Sequence, residues 1–298
     1  MWFFKKKKKL DTVKDKRYNM LPSYIKQKKV KIGVAFGGGG TRGLAHLGAI
    51  KAFEEFGLKF DFISGTSSGS LVGAMYADEI PFQKMYEISK SLKEKDIKTS
   101  KLFFMPSKTE GLQEVITSVF GDKNIEDLKN PFAAVAVDIK TTQEVVITKG
   151  ELKKALAGSC AVPGVFQPVE MDDMILLDGG LQNTIPANVP RLFGCDYVVS
   201  VDVNSQRSYG TDSTKLMDVL GVTIRILMKS NAIKGYLNSD IIIQPDTKRF
   251  KNTKTDGLDE MIDEGYRATL KVMPEIINLF YKKPNKKKII ESDETTIK

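Results

Sequence analysis

From Val30 onward, short apolar runs rich in β-branched residues alternate with stretches in which apolar positions recur every three or four residues. The first pattern predicts strands at 30–36, 60–64, 132–139, 144–148, 174–178, 197–203 and 240–244. The second predicts helices at about 43–57, 69–78, 111–120, 214–236 and 258–281. Strands alternating with helices point to an α/β layer architecture around a mostly parallel sheet. The runs at 132–139 and 144–148 are joined only by "KTTQ", which reads as a hairpin and makes the sheet mixed. No internal repeat is present.

Charge divides the chain of 298 residues, which is 41% hydrophobic and carries a net charge of +9. Residues 1–31 hold twelve Lys/Arg against Asp11 and Asp15, and the remainder is left with a net charge of −1. We therefore expect a basic, flexible tail over 1–29, a near-neutral domain over 30–281 and a charged tail over 282–298. The opening "MWFFKKKKK" has the wrong order for a signal peptide, in which positive charge precedes an apolar stretch. Two readings fit it: a solubilising lysine run, or a peripheral contact with an anionic membrane in which Trp2, Phe3 and Phe4 enter the headgroup region. A nucleic-acid partner is disfavoured because the basic excess does not continue into the folded part. No stretch reaches the 18 or so apolar residues of a membrane span. Cys160 and Cys195 lie in apolar contexts and read as core thiols of a reducing compartment, which points to the cytoplasm; the membrane reading of the tail would add peripheral attachment to the inner face of its membrane.

Candidate chemistry sits at two turns. In "FISGTSSGSLVGAMYA" (62–77) a strand passes through Gly65-Thr66-Ser67-Ser68-Gly69 into a helix, the G-x-S-x-G context of an exposed nucleophile. The alternative reading of this loop alone is a helix cap, with Ser67 or Ser68 as the N-cap. The first strand ends in four glycines, Gly37 to Gly40, followed by Thr41-Arg42-Gly43. These satisfy G-x-G-x-x-G, but the acidic residue a nucleotide ribose needs would be Asp61, at the start of its strand instead of the carboxyl end. What remains is an anion-binding glycine loop with an arginine, which is what an oxyanion hole requires.

A nucleophilic serine needs a base. The chain has one histidine, His46, upstream of Ser67 and flanked by Ala45 and Leu47, which reads as a packing residue. A carboxylate must then serve. Asp178 ends the apolar run "MILLD" and is followed by Gly179 and Gly180; as the alternative, it belongs to an Asp-Gly turn. Asp138 and Asp202, also near strand ends, are rival bases. The lysine-rich segment 79–130, with "KLFFMPS" at 101–107, reads either as a lid at the mouth of the site or as an ordinary helical excursion.

Together these turns resemble the patatin-like phospholipase family: G-G-G-x-R-G at Gly38–Gly43, G-x-S-x-G at Gly65–Gly69, D-G-G at Asp178–Gly180, and S-x-A-x-P-x-x-F-x-P at Ser159, Ala161, Pro163, Phe166 and Pro168. The resemblance covers about residues 30–205, and the helix near 264–276 fits the family's C-terminal end. It implies a three-layer α/β/α fold and a lipid acyl hydrolase of the phospholipase A type. Ser67 would be the nucleophile, Asp178 the base, and the backbone of Gly38, Gly39 and Gly40, supported by Arg42, the oxyanion hole, with no catalytic histidine, no cofactor and no metal, and a lipid or phospholipid as substrate. The competing expectations are a serine esterase, thioesterase or protease with other substrates, a nucleotide-binding oxidoreductase, and a non-catalytic membrane-associated module.

Overall fold

In the computed structural model, which describes residues 30–96, 109–205, 210–248, 250, 257–284 and 295–297, β1 (Ile32–Phe36) is buried at all five positions. Such a strand needs cover on both faces, as in a parallel sheet between helical layers. It pairs in parallel with β2 (Phe62–Thr66) and with β7 (Tyr197–Val201). β3 (Phe132–Asp138) extends the parallel set beyond β2, and β8 (Ile241–Ile243) extends it beyond β7. β3 and β4 (Gln143–Ile147) form the expected antiparallel hairpin. β6 (Met174–Asp178) also runs antiparallel to β3, with β5 (Val169–Met171) outside it. The sheet is mixed and mostly parallel, in the order β5-β6-β3-β2-β1-β7-β8.

The register around β3 positions the site. Ala134 pairs with both β2 and β4, so those two lie on opposite edges of β3; Asp138 pairs with both β4 and β6, so β6 lies on the same edge as β2. Along that edge β2 ends with Thr66 opposite Val135, while β6, arriving from the other direction, ends with Asp178 opposite Ala136. The carboxyl ends of two strands therefore meet head to head.

Helices α1 (Leu44–Glu55), α2 (Ser68–Ala77) and α8 (Leu258–Leu279) cover one face, where Val34, Phe36, Ile63 and Val199 join Ile50, Phe53, Val72, Ala74 and Ile262 in the main core. α3 (Phe82–Asp96), α4 (Glu110–Phe120) and α5 (Leu152–Ser159) extend this layer. On the other face Ala35, Phe62, Val135 and Val198 pack with Val189 of α6 (Asn188–Leu192), beside α7 (Leu216–Asn238). Helices thus flank both faces, as a three-layer α/β/α architecture requires. α1 and α8 cross at two glycines. A Cβ built on Gly48 would stand 1.9 Å from Ile262 O, and one on Gly265 would stand 1.8 Å from Ala45 O. The backbones touch because neither residue has a side chain.

Most predicted elements lie within two residues of those observed. β2 begins and ends two residues later than expected, because Asp61 is used at its start: its carboxylate accepts the Ile32 N–H at 2.7 Å. The strand then continues through Gly65, which is small enough to pass beneath Gly69 of α2. Elements that escaped prediction are short or polar: β5 has three residues, α6 five with an internal proline, α5 eight, and α3 carries many lysines and glutamates. Within the segment 282–298, β9 (Thr295–Ile297) pairs in parallel with β4. The segment 79–130 contains α3 and α4, whereas "KLFFMPS" and the basic run 1–29 lie outside the described residues.

Candidate active site

Ser67 occupies the single-residue corner between β2 and α2, with φ 54° and ψ −130°. A positive φ at a residue with a Cβ is strained by roughly 1–3 kcal/mol and persists only when its surroundings enforce it. Here they do. The Ser67 carbonyl accepts Ser70 N–H at 2.8 Å and Ser70 Oγ–H at 2.7 Å, and its own N–H donates to Ser159 Oγ at 2.9 Å. The glycines around it answer to close approach: a Cβ on Gly69 would lie 2.2 Å from Phe36 O, and one on Gly65 would lie 2.4 Å from Gly69 O. α2 can therefore start directly against the end of β1, with its positive end beside the Ser67 side chain. Ser67 is 8% exposed.

Asp178 is fully buried. Its N–H donates to Ala161 O at 3.0 Å and its Oδ1 accepts Gly180 N–H at 2.8 Å. The other oxygen, Oδ2, is buried with no hydrogen-bond partner. The Ser67 hydroxyl is near enough to favour the ionised carboxylate without completing a hydrogen bond to that oxygen. Burial is the dominant influence and raises the Asp178 pKa to about 6, with Ser67 and the Gly180 N–H pulling the other way. Gly179 is needed because a Cβ there would stand 2.3 Å from Val135 O. The Cys160 thiol lies among Ser67, Ser70 and Asp178, and burial followed by the Asp178 charge pushes its pKa up, so it stays protonated. Both cysteines are free and buried.

The glycine turn lies across from the serine, and a Cβ on Gly38 would be 3.3 Å from Ser67 Cβ. Two of its amides already have acceptors: Gly38 N–H donates to Thr184 O at 2.9 Å, and Gly39 N–H to Ser68 Oγ at 3.0 Å. Gly40 is exposed, with φ 56°. Asn204 Nδ2 holds the Gly38 carbonyl at 2.6 Å. Arg42 is buried and donates to Phe250 O at 2.9 Å, which ties the turn to a distant loop.

His46 is also fully buried, its Nε2 donating to Gly37 O at 2.7 Å and its ring edge-on to Phe36 at 5.3 Å. Burial lowers its pKa to about 4, against a raising contribution from the Gly37 hydrogen bond, so the ring is neutral and supports the glycine turn. The rival carboxylates are engaged elsewhere. Asp138 accepts Ile175 N–H, Lys140 N–H and the Thr141 hydroxyl at the hairpin; burial raises its pKa, but these bonds overcome it and the net shift is downward. Asp202 accepts the Tyr236 hydroxyl and Asn204 N–H, and burial raises its pKa. Asp61 sits at the far end of β1 from the glycine turn, away from where a ribose acid belongs. Among the described residues no cluster of three or more His, Cys, Asp or Glu is arranged to hold a metal.

Sequence reasoning did not anticipate the supporting set of Ser68, Ser70, Thr184 and Asn204. Ser159 was visible only within a pattern. Its hydroxyl accepts Ser67 N–H and donates to Val135 O at 2.6 Å, and two residues on Ala161 O holds Asp178 N–H. One short segment thus holds the backbone N–H groups of both residues, and its Ser159 hydroxyl fixes it to β3.

Comparison with known proteins gives this arrangement a family. The family model for patatin-like phospholipases matches residues 34–190, which spans all three turns. The chain belongs to the patatin-like phospholipase family. Among relatives, it is 30% identical over 269 residues to neuropathy target esterase sws of Drosophila melanogaster, covering 79% of this chain and 19% of that protein. It is 33% identical over 181 residues to lysophospholipase NTE1 of Saccharomyces cerevisiae, covering 58% and 11%. Against patatin-like phospholipase domain-containing protein 7 of Rattus norvegicus it is 34% identical over 199 residues, covering 63% and 14%. The chain therefore spans a fifth or less of these relatives. The crystal structure of VipD from Legionella pneumophila shares the fold, with a TM-score of 0.52, 13% identity and coverage of 83% of this chain and 67% of that one.

Proposed function

We propose that this patatin-like protein is a serine hydrolase of lipid acyl esters that works through a Ser67–Asp178 dyad. The observation that carries the reading is the unpartnered, buried Oδ2 of Asp178 beside a serine held at positive φ, both fixed by strand ends that abut on β3. Ser67 Oγ attacks the ester carbonyl carbon while Asp178 takes its proton, and the tetrahedral oxyanion that forms faces the amino end of α2 and the glycine turn. Asp178 then protonates the departing alcohol, leaving an acyl group on Ser67. Water attacks the acyl-enzyme, gives its proton to Asp178 and releases the fatty acid, and the proton returns to Ser67.

A pKa near 6 makes Asp178 a stronger base than an ordinary carboxylate while leaving it ionised at neutral pH. Gly39 N–H is the turn's best donor to the oxyanion, since its present acceptor is a side-chain hydroxyl that can rotate away, whereas Gly38 N–H would have to leave Thr184 O. Arg42 holds the turn's shape through Phe250. The relatives' names, a lysophospholipase and phospholipase-domain proteins, favour a glycerophospholipid or lysophospholipid as the ester. Two buried free thiols favour a reducing compartment, and we place the enzyme in the cytoplasm.

The test is fluorophosphonate labelling of wild type, Ser67→Ala and Asp178→Asn, with turnover of phospholipid, lysophospholipid, a short p-nitrophenyl ester and casein measured in parallel. Labelling is expected to vanish in Ser67→Ala, and lipid esters are expected to be the preferred substrates. Labelling that survives Ser67→Ala overturns the nucleophile. A preference for casein overturns the substrate class.

A further inference from the structure

α7 carries an apolar surface that the fold does not use. Val219, Ile226, Ile233 and Leu237 are 43%, 53%, 56% and 46% exposed. At about 100° per residue they fall within a sector about 40° wide, forming one straight stripe along a helix about 35 Å long. At the amino end Leu216 and Met217 are 71% and 64% exposed, and Val165 on the adjoining loop adds 52%. A row of large apolar side chains of this extent marks a surface made to be covered.

What flanks the stripe indicates its partner. On one side lie the exposed cations Arg225 and Lys229, whose long stems can lie along an apolar surface while their charges reach anionic headgroups, with one exposed carboxylate, Asp218, in the first turn of the same flank. On the other side lie Thr223 and Ser230, and both fold their hydroxyls back onto their own helix, to Val219 O at 2.9 Å and Ile226 O at 3.1 Å. Polar groups satisfied in this way can leave water at little cost. Apolar residues with basic neighbours and internally bonded hydroxyls suit the lipid–water boundary better than a hydrated protein interface. Among the described residues no helix is long and apolar enough to cross a membrane, so the stripe would lie along its surface.

The helix is also joined to the site. Its opposite face rests on the turn after Asp178: Met228 Cε would lie 2.9 Å from a Cβ on Gly180, Thr184 Oγ1–H donates to Met228 O at 2.5 Å, and Asn231 Nδ2 donates to Leu181 O. We propose that the α7 stripe of Val219, Ile226, Ile233 and Leu237, edged by Arg225 and Lys229, seats this protein on an anionic lipid bilayer and sets the Ser67–Asp178 site against its substrate. The function assigned to the seated site rests on the hydrolase reading; the seating itself does not.

The experiment uses the full chain carrying Ser67→Ala, so that nothing is hydrolysed, and flotation with vesicles of phosphatidylcholine and phosphatidylglycerol (1:1) or of phosphatidylcholine alone. Adding Val219→Ser, Ile226→Ser and Ile233→Ser together is expected to lower partitioning to the anionic vesicles at least tenfold, with unchanged circular dichroism. Ile226→Trp in a Trp2→Phe background is expected to shift its emission to the blue on adding vesicles and to be quenched by brominated lipid. With Ser67 retained, the triple variant is expected to hydrolyse a soluble short-chain ester within twofold of wild type. Unchanged vesicle binding by the triple variant, or an indole that does not respond to lipid, overturns the proposal. So does a triple variant whose only change is the loss of a dimer in light scattering. If wild type hydrolyses no ester, the hydrolase reading fails while the vesicle result stands.

Discussion

The Ser159 hydroxyl accepts the Ser67 N–H at 2.9 Å and donates to Val135 O at 2.6 Å. It therefore bridges the strained corner that carries Ser67 and the strand against which the corner is registered. Neither backbone group has water to fall back on at so buried a point. Ser159→Ala is expected to cost about 1–3 kcal/mol of stability, the usual penalty for leaving a buried polar group unpaired. It is also expected to lower kcat on a soluble ester about tenfold with little change in KM, since the corner loses one of the bonds enforcing its positive φ. Urea denaturation and steady-state kinetics check both; a Ser159→Ala variant with wild-type kcat removes the positioning role.

The buried carboxylate gives activity and stability opposite pH dependences. Burial raises the Asp178 pKa to about 6, so the base form, and with it kcat/KM, is expected to fall as pH drops through about 6. For stability the folded state binds more protons than the unfolded chain between the ordinary aspartate range and about pH 6. The contribution from Asp178 is therefore fully present below its unfolded pKa and is lost as pH rises through the folded one. Asp178→Asn is expected to reduce kcat at least 10²-fold while melting at or above the wild-type temperature at pH 8. His46, with its pKa lowered to about 4 by burial, does not titrate in this window, so His46→Gln should retain the limb near 6. A limb that moves in His46→Gln would transfer the assignment.

How much of this was legible beforehand follows from what each residue answers to. Gly65, Gly69 and Gly179 could be read because close approach leaves its mark as small residues in a row, and Asp178 because it ends an apolar strand before two of them. Ser159, Thr184 and Asn204 were not legible by that logic. Each meets its partner across a long separation, 92 residues for Ser159 to Ser67 and 166 for Asn204 to Gly38, and a hydroxyl or amide used once in three dimensions leaves no periodicity. The commitment of the Gly38 amide to Thr184 was equally hidden, because a run of glycines advertises backbone approach without saying which N–H groups remain available. β9 was missed because a three-residue strand in a charged segment carries too few side chains to form a pattern.

Gly69 and Gly57 separate two reasons for a glycine. Gly69 has ordinary helical surroundings, but a Cβ would stand 2.2 Å from Phe36 O and 2.6 Å from Gly37 O, both backbone atoms of the central strand and the glycine turn. Gly57 has φ 64° and open space around it. Gly57→Ala is expected to cost about 1–2 kcal/mol through backbone strain alone with activity retained. Gly69→Ala is expected to cost about 3 kcal/mol or more, the upper range for overpacking, and to abolish fluorophosphonate labelling, because relief requires α2 to move away from β1 and to carry Ser67 with it. Equal losses in the two variants would show that contact at Gly69 is not limiting.

The last prediction concerns a buried ion pair that links α7 to β4 and, through Asn183, to the end of β2 next to Ser67. Lys234 Nζ meets Glu144 Oε2 at 2.5 Å with side-chain exposures of 10% and 1%, and Asn183 Nδ2 donates to the other glutamate oxygen at 2.8 Å. Asn183 O in turn accepts the hydroxyl of Thr66, the residue before Ser67, at 2.8 Å. Removing the ammonium leaves a carboxylate in a site with no water to receive it, so Lys234→Met is expected to destabilise the protein by about 3–5 kcal/mol. Glu144→Gln combined with Lys234→Met removes the stranded charge and keeps an acceptor for Asn183, and is expected to recover more than half of that loss. A double-mutant cycle in urea measures the coupling. If the pair is only a structural clasp, kcat on a soluble ester will return with stability in the double variant. If it also holds Thr66 in place through Asn183, kcat will return in Glu144→Gln with Lys234→Met but not in Glu144→Leu with Lys234→Met, which leaves Asn183 without an acceptor at 144. Additive losses across the cycle would mean that the pair does not act as a unit.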